Sequence, residues 1–144
     1  MIRARKFRFA ALAALGLLMA GAPGCGDGSG RVAVSGRVTV DGQALESGVI
    51  AFLPAEGTKG PAAGAEIKQG AYSVGRQGGP LPGTYRVEIK GTRKTGRQIK
   101  DSFSTAMVDE IEQFLPAKFN TESELSAEIK PGGSDSLDFT LQLK

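Results

Sequence analysis

The sequence predicts an all-β fold, a seven-stranded antiparallel sandwich of two layers, and three observations carry that expectation. Apolar and polar residues alternate with a period of two in four segments, which is the pattern of half-buried strands. Gly- and Pro-rich turn signals separate these segments at short intervals. Residues 32–144 are also enough chain to bury one core without disulfide support.

Each element follows in chain order. Val32, Val34, Val38 and Val40 share one face opposite Ala33, Ser35, Arg37 and Thr39, and Asp41-Gly42 after them is a strong hairpin signal. Gly48 to Leu53 is an apolar run suited to a strand buried on both faces. Ala63 to Ile67 and Ala71 to Val74 flank the turn-like Lys68-Gln69-Gly70. Tyr85, Val87 and Ile89 oppose Arg86, Glu88 and Lys90; Leu125, Ala127 and Ile129 oppose Glu124, Ser126, Glu128 and Lys130. After the break at Lys130-Pro131-Gly132-Gly133, Leu137, Phe139, Leu141 and Leu143 form the longest regular alternation. One insertion, residues 91–115, breaks the rhythm. Its first half is basic and aperiodic; its second half sets Met107, Val108, Ile111, Phe114 and Leu115 at helical spacing, with Ser102 or Ser104 as a cap, so a short helix or an ordered loop is expected before Pro116.

The N-terminal region reads as an export signal. Arg3, Arg5, Lys6 and Arg8 precede the uncharged stretch Phe9 to Ala22, which is short for a membrane span of about 20 apolar residues. Without residues 1–24 the chain carries 14 basic and 15 acidic residues, a net charge of −1, so its basic character belongs to the signal and no nucleic-acid partner is expected. The absence of His and the single Cys exclude a Ser-His or Cys-His catalytic pair, an internal disulfide and a thiolate zinc site.

The apolar stretch ends in Ala22-Pro23-Gly24-Cys25, where the segment resembles a bacterial lipoprotein signal. That resemblance implies cleavage before Cys25 and lipidation of its thiol. An ordinary secretory signal cut near Ala20 or Ala22 is the alternative. Gly26-Asp27-Gly28-Ser29-Gly30 reads as a flexible linker within residues 25–31, joining the anchor to the domain at 32–144.

Three further runs, Val34 to Gly42, Gly48 to Pro54 and Leu81 to Val87, together resemble the carboxypeptidase regulatory-like, or transthyretin-like, β-sandwich domain. With Leu115-Pro116-Ala117-Lys118-Phe119-Asn120-Thr121 and the signal in front, the chain is similar to small exported lipoproteins of planctomycete bacteria. The resemblance implies an immunoglobulin-like sandwich, no catalytic residues and no cofactor, in a non-enzymatic structural or binding module of the cell envelope, on the periplasmic side or the outer membrane. Fold-level analogy carries function only by association.

Four cations, Arg93, Lys94, Arg97 and Lys100, lie in the insertion and are the candidate contacts for an anionic ligand, a polysaccharide or an envelope protein partner among them. They support an alternative function, a carbohydrate- or small-ligand-binding surface lipoprotein. Tyr72 and Tyr85 each follow a Gly turn at a strand start, where packing with the hydroxyl on nearby backbone outweighs a sugar-stacking platform. Asp109, Glu110, Glu112, Glu122 and Glu124 have no fixed separation of the kind a glycosidase pair needs.

Overall fold

The computed structural model describes residues 28–144, so the signal stretch and Cys25 lie outside the described residues. The described chain is all-β, and it holds nine strands rather than seven. They are β1 (Val34–Val40), β2 (Gln43–Ala44), β3 (Ser47–Pro54), β4 (Ala63–Lys68), β5 (Ala71–Val74), β6 (Gly83–Lys100), β7 (Met107–Gln113), β8 (Ser126–Ile129) and β9 (Phe139–Leu141). All seven expected segments are strands; β2 and β7 are the additions. The strand order is β2-β1-β5-β4-β3-β6-β7, with β8 also on β6 and β9 also on β1. Every pairing is antiparallel except β1 with β9, which run parallel from Val38↔Phe139 to Val40↔Leu141.

Two tight turns set the early register. Asp41 and Gly42 have φ of 49° and 82°, and Gln69 and Gly70 have 50° and 78°. Positive φ at both central residues is the type I′ geometry whose twist matches the flanking strands, and each pair closes a two-residue hairpin. Strand β1 changes partners halfway: Val34 to Arg37 pair with β5, while Val38 to Val40 pair with β9. At Gly36 the chain before β9 crosses so closely that a Cβ would stand 2.0 Å from the Leu137 carbonyl oxygen, so only glycine fits there.

The inward faces meet in one core. Val34 and Val38 of β1, Ile50 and Phe52 of β3, Ile67 of β4, Tyr72 and Val74 of β5, Tyr85, Val87 and Ile89 of β6, Ile129 of β8 and Leu141 of β9 are all buried in the same cluster. Both tyrosines are structural: the Tyr72 hydroxyl donates to the Leu137 carbonyl at 2.6 Å and the Tyr85 hydroxyl to the Leu81 carbonyl at 2.9 Å. Burial, with the Asp138 charge as a lesser cause, pushes the Tyr72 hydroxyl pKa up, so it stays protonated and remains a donor.

The Leu115 to Thr121 segment closes the insertion back onto this core. Leu115 and Phe119 are buried, and a short 3-10 turn spans Ala117–Phe119. The buried Asn120 amide donates to the Leu115 and Pro116 carbonyls, and its oxygen accepts from Thr121 N–H at 2.9 Å. Ser123, also buried, donates to the Val87 carbonyl and accepts from Leu125 N–H. Each polar side chain inside the core thus has its partners, as burial requires.

Candidate functional site

Where a helix or ordered loop is expected at 102–115, the structure has a turn followed by the strand β7 over Met107–Gln113. β7 pairs with the outer half of β6, from Thr92↔Gln113 to Lys100↔Met107, so the insertion is a β-hairpin. The pairing of β3 with β6 ends at Gly48↔Gly91 and that of β8 spans only Gly83 to Arg86. Beyond Gly91 the hairpin is therefore a two-stranded ribbon whose paired part, the length of β7, is about 20 Å long at 3.3 Å per residue. Between Lys94 and Gln98 the register shifts, with Gly96 at φ 83° inside the irregularity.

This register decides what the four cations do. Arg93 Nε lies 2.7 Å from Glu112 Oε1, Lys94 Nζ 2.6 Å from Asp109 Oδ2, and Arg97 Nη2 2.6 Å from Glu110 Oε2. The Arg93 guanidinium also sits 5.1 Å from the Phe114 ring centre, a cation–π contact. The basic strand and the acidic strand thus neutralise each other, and three of the four cations are committed across the ribbon. Only Lys100, near the far end, has no carboxylate within ion-pair distance among the described residues. Residues 91–115 hold four cations and four carboxylates, so the ribbon has no net charge. Asp109, Glu110 and Glu112 are the partners in these pairs.

The electrostatics give a pH dependence with a definite sign. Hydrogen bonding and charge from Lys94 hold the Asp109 carboxyl below its ordinary 3.8, and the Thr95 hydroxyl, then Arg97, hold Glu110 below 4.5. The Asp109 carboxylate in turn holds the Lys94 ammonium above 10.5. Groups with depressed pKa stabilise the ribbon above their unfolded values and lose that effect as pH falls through the folded values; Lys94 loses its own effect only as pH rises past 10.5. The ribbon is thus expected to loosen below about pH 4. Cross-strand nuclear Overhauser effects between Ile99 and Val108 should fade there while those between Ile50 and Ile89 persist. Equal persistence of both would refute a contribution from the pairs.

The far end of the ribbon was not singled out from the sequence. Phe103 at the turn is 100% exposed, and Ile99, Met107, Val108 and Ile111 are also exposed. The turn that carries Phe103 is internally bonded. Asp101 N–H donates to the Ala106 carbonyl, Phe103 N–H to the Asp101 carboxylate at 2.8 Å, and Ala106 N–H to the Ser104 hydroxyl at 3.2 Å. The Phe103 N–H first, then the Ser104 hydroxyl and N–H, hold the Asp101 carboxyl below its ordinary pKa. The signal available in the sequence was an aromatic residue flanked by serines between two charged strands.

A groove of about 400 Å³ lies at the root of the ribbon, lined by Val40, Asp41, Gln43, Glu46, Arg93 and Phe114 among others. It is open to solvent, and Arg93 in its wall is already bound to Glu112. Among the described residues no cluster of His, Cys, Asp or Glu has the arrangement to hold a metal ion, and no helix is long and apolar enough to cross a membrane. The chain matches no protein-family model, no curated protein and no solved structure.

Proposed function

We propose that this protein is a non-enzymatic, lipid-anchored module of the bacterial cell envelope, a transthyretin-like β-sandwich whose role is structural or binding. One observation supports the tether most directly. Residues 28–30 are exposed and the first buried side chain is Val32, whose N–H bonds to the Pro80 carbonyl at the rim of the sheet. Among the described residues the packed core thus begins only at Val32, on the C-terminal side of the proposed attachment at Cys25. The sandwich reading draws on the way β1 divides its pairing between β5 and β9 while the strands turn their apolar faces to one cluster. The similarity to planctomycete lipoproteins stays with the sequence runs that suggested it.

The test is the intact mass of the protein purified from membranes of its own host, with its N-terminal peptide sequenced. The expected chain begins at Cys25 carrying acyl groups. A chain that begins elsewhere with a free thiol would refute the anchor and make this an exported, unanchored domain.

A further inference from the structure

The distal turn of the β6–β7 ribbon has a composition that solvent does not explain. In a hairpin standing free in water the apolar residues belong near the body and the polar ones at the end. This ribbon is built the other way. Its ion pairs, Arg93 with Glu112 and Lys94 with Asp109, lie toward the root and middle, where Ile111 is the one exposed apolar residue, and Ile99, Phe103, Met107 and Val108 gather at the end. We propose that this end is a second membrane contact, in which Phe103 and the apolar residues beside it enter the interface of a phospholipid bilayer.

Three features favour a bilayer over a protein surface. Ile99 and Val108 face each other across the ribbon on one side, and Met107, opposite Lys100, lies on the other side. Apolar residues thus stand on both faces, which suits a medium that surrounds the turn better than a partner that covers one face. Unsatisfied backbone groups oppose entry into a bilayer, and the bonds of Asp101, Phe103 and Ala106 satisfy three of the turn's N–H groups internally and so lower that cost. Lys100, the one of the ribbon's four cations without an acid partner among the described residues, sits where a lysine reaches lipid phosphates while its stem stays in the apolar layer. The charged Asp101 carboxylate beside it limits the depth, so Phe103 inserts furthest. Because the ribbon has no net charge, burial of apolar surface drives the contact, and zwitterionic lipid should support it as well as anionic lipid.

The geometry adds a statement about orientation. Gly30 lies against Leu81, just before the start of β6, whereas the distal turn follows its other end. The two ends of β6, a strand of 18 residues whose register shift shortens it, are roughly 50 Å from each other. We assign the contact to the bilayer that bears the proposed anchor, with the domain lying along its surface. This orientation rests on the anchor; the insertion rests on the residues of the turn.

The chain contains no tryptophan, so Phe103→Trp places a single fluorophore at the turn. The full protein, purified from membranes, would be reconstituted at low density into vesicles of phosphatidylcholine with and without phosphatidylglycerol. The expected result is a blue-shifted emission, quenched by lipids brominated high on the acyl chain and shielded from aqueous iodide. Adding Ile99→Ser and Met107→Ser should return much of that shift. Emission typical of water with full iodide access would overturn the proposal. A blue shift without lipid that grows with protein concentration would assign the turn to a second copy and overturn it too. A shift that appears only as vesicles clump would assign it to an opposing bilayer and overturn the orientation. Repeating the measurement with Cys25→Ala separates a failed anchor from a failed turn.

Discussion

Tyr85→Ala is expected to lower the stability of the protein by about 4 kcal/mol, near the upper range for loss of a buried aromatic side chain. Tyr85 is completely buried. It stands on β6 opposite Pro54 of β3 on one side and Ala127 of β8 on the other, so the ring fills the junction of three strands. Removing it takes away the apolar surface and leaves a cavity that neighbours on two sides cannot both collapse into. Tyr85→Phe keeps the ring and loses only the bond to the Leu81 carbonyl, and should cost about 1 kcal/mol. Urea unfolding followed by far-ultraviolet circular dichroism measures both. Against a total of about 5–15 kcal/mol for a domain, the alanine variant should show a much lower midpoint with a similar slope. If the phenylalanine variant lost as much as the alanine variant, the hydroxyl rather than the packing would be the main contribution.

The contrast between Tyr85 and the ribbon explains which parts of this fold were legible in the sequence. Tyr85, Val87 and Ile89 alternate with polar residues because one face of β6 is buried at those positions and the other is not. Burial on one face imposes a period of two, and a one-residue slip would turn the whole set outward. Past Gly91 the same strand has solvent on both faces, and nothing imposes a period there. Thr92 to Lys100 accordingly reads as an aperiodic basic run. On β7 the spacing of Met107, Val108 and Ile111 imitates a helix by coincidence, since all three side chains are exposed and none reports a packed face. Pairing with β6 settles the backbone where the pattern does not. The parallel contact of β9 with β1 was hidden for another reason: it joins residues about a hundred positions apart, and alternation within a strand carries no information about its partner.

The candidate site divides in the same way. The four cations were visible as a charge run, and the carboxylates were visible as a second one, but their mutual neutralisation depends on register. Lys94 stands opposite Ile111 and reaches Asp109, two residues along β7 on the same face, as a diagonal neighbour. A sequence that shows no hairpin therefore offers four available positive charges where, among the described residues, the fold leaves only Lys100 of those four without an acid partner. Phe103 passed unremarked for the opposite reason. A single aromatic residue in a polar loop acquires meaning only when the fold carries that loop to the far end of a projecting ribbon.

Substituting Cys25 by alanine should abolish incorporation of a metabolic fatty-acid label completely, the largest change expected of any single substitution here. The argument is one of burial. Each methylene of an acyl chain placed in a bilayer contributes about 0.8 kcal/mol, so one chain holds a protein reversibly and two hold it firmly. The uncharged stretch Phe9 to Ala22 is too short to replace them as a full span. A cysteine is needed because the thiolate is the nucleophile that forms the thioether, and this chain has no second cysteine to take its place. Label that persisted in Cys25→Ala would therefore sit on another residue and would end the lipoprotein reading. Membrane association without label would instead point to an uncleaved leader, which the mass of the N-terminal peptide identifies at once. In either case the described fold should be unchanged, because its first buried contact is at Val32.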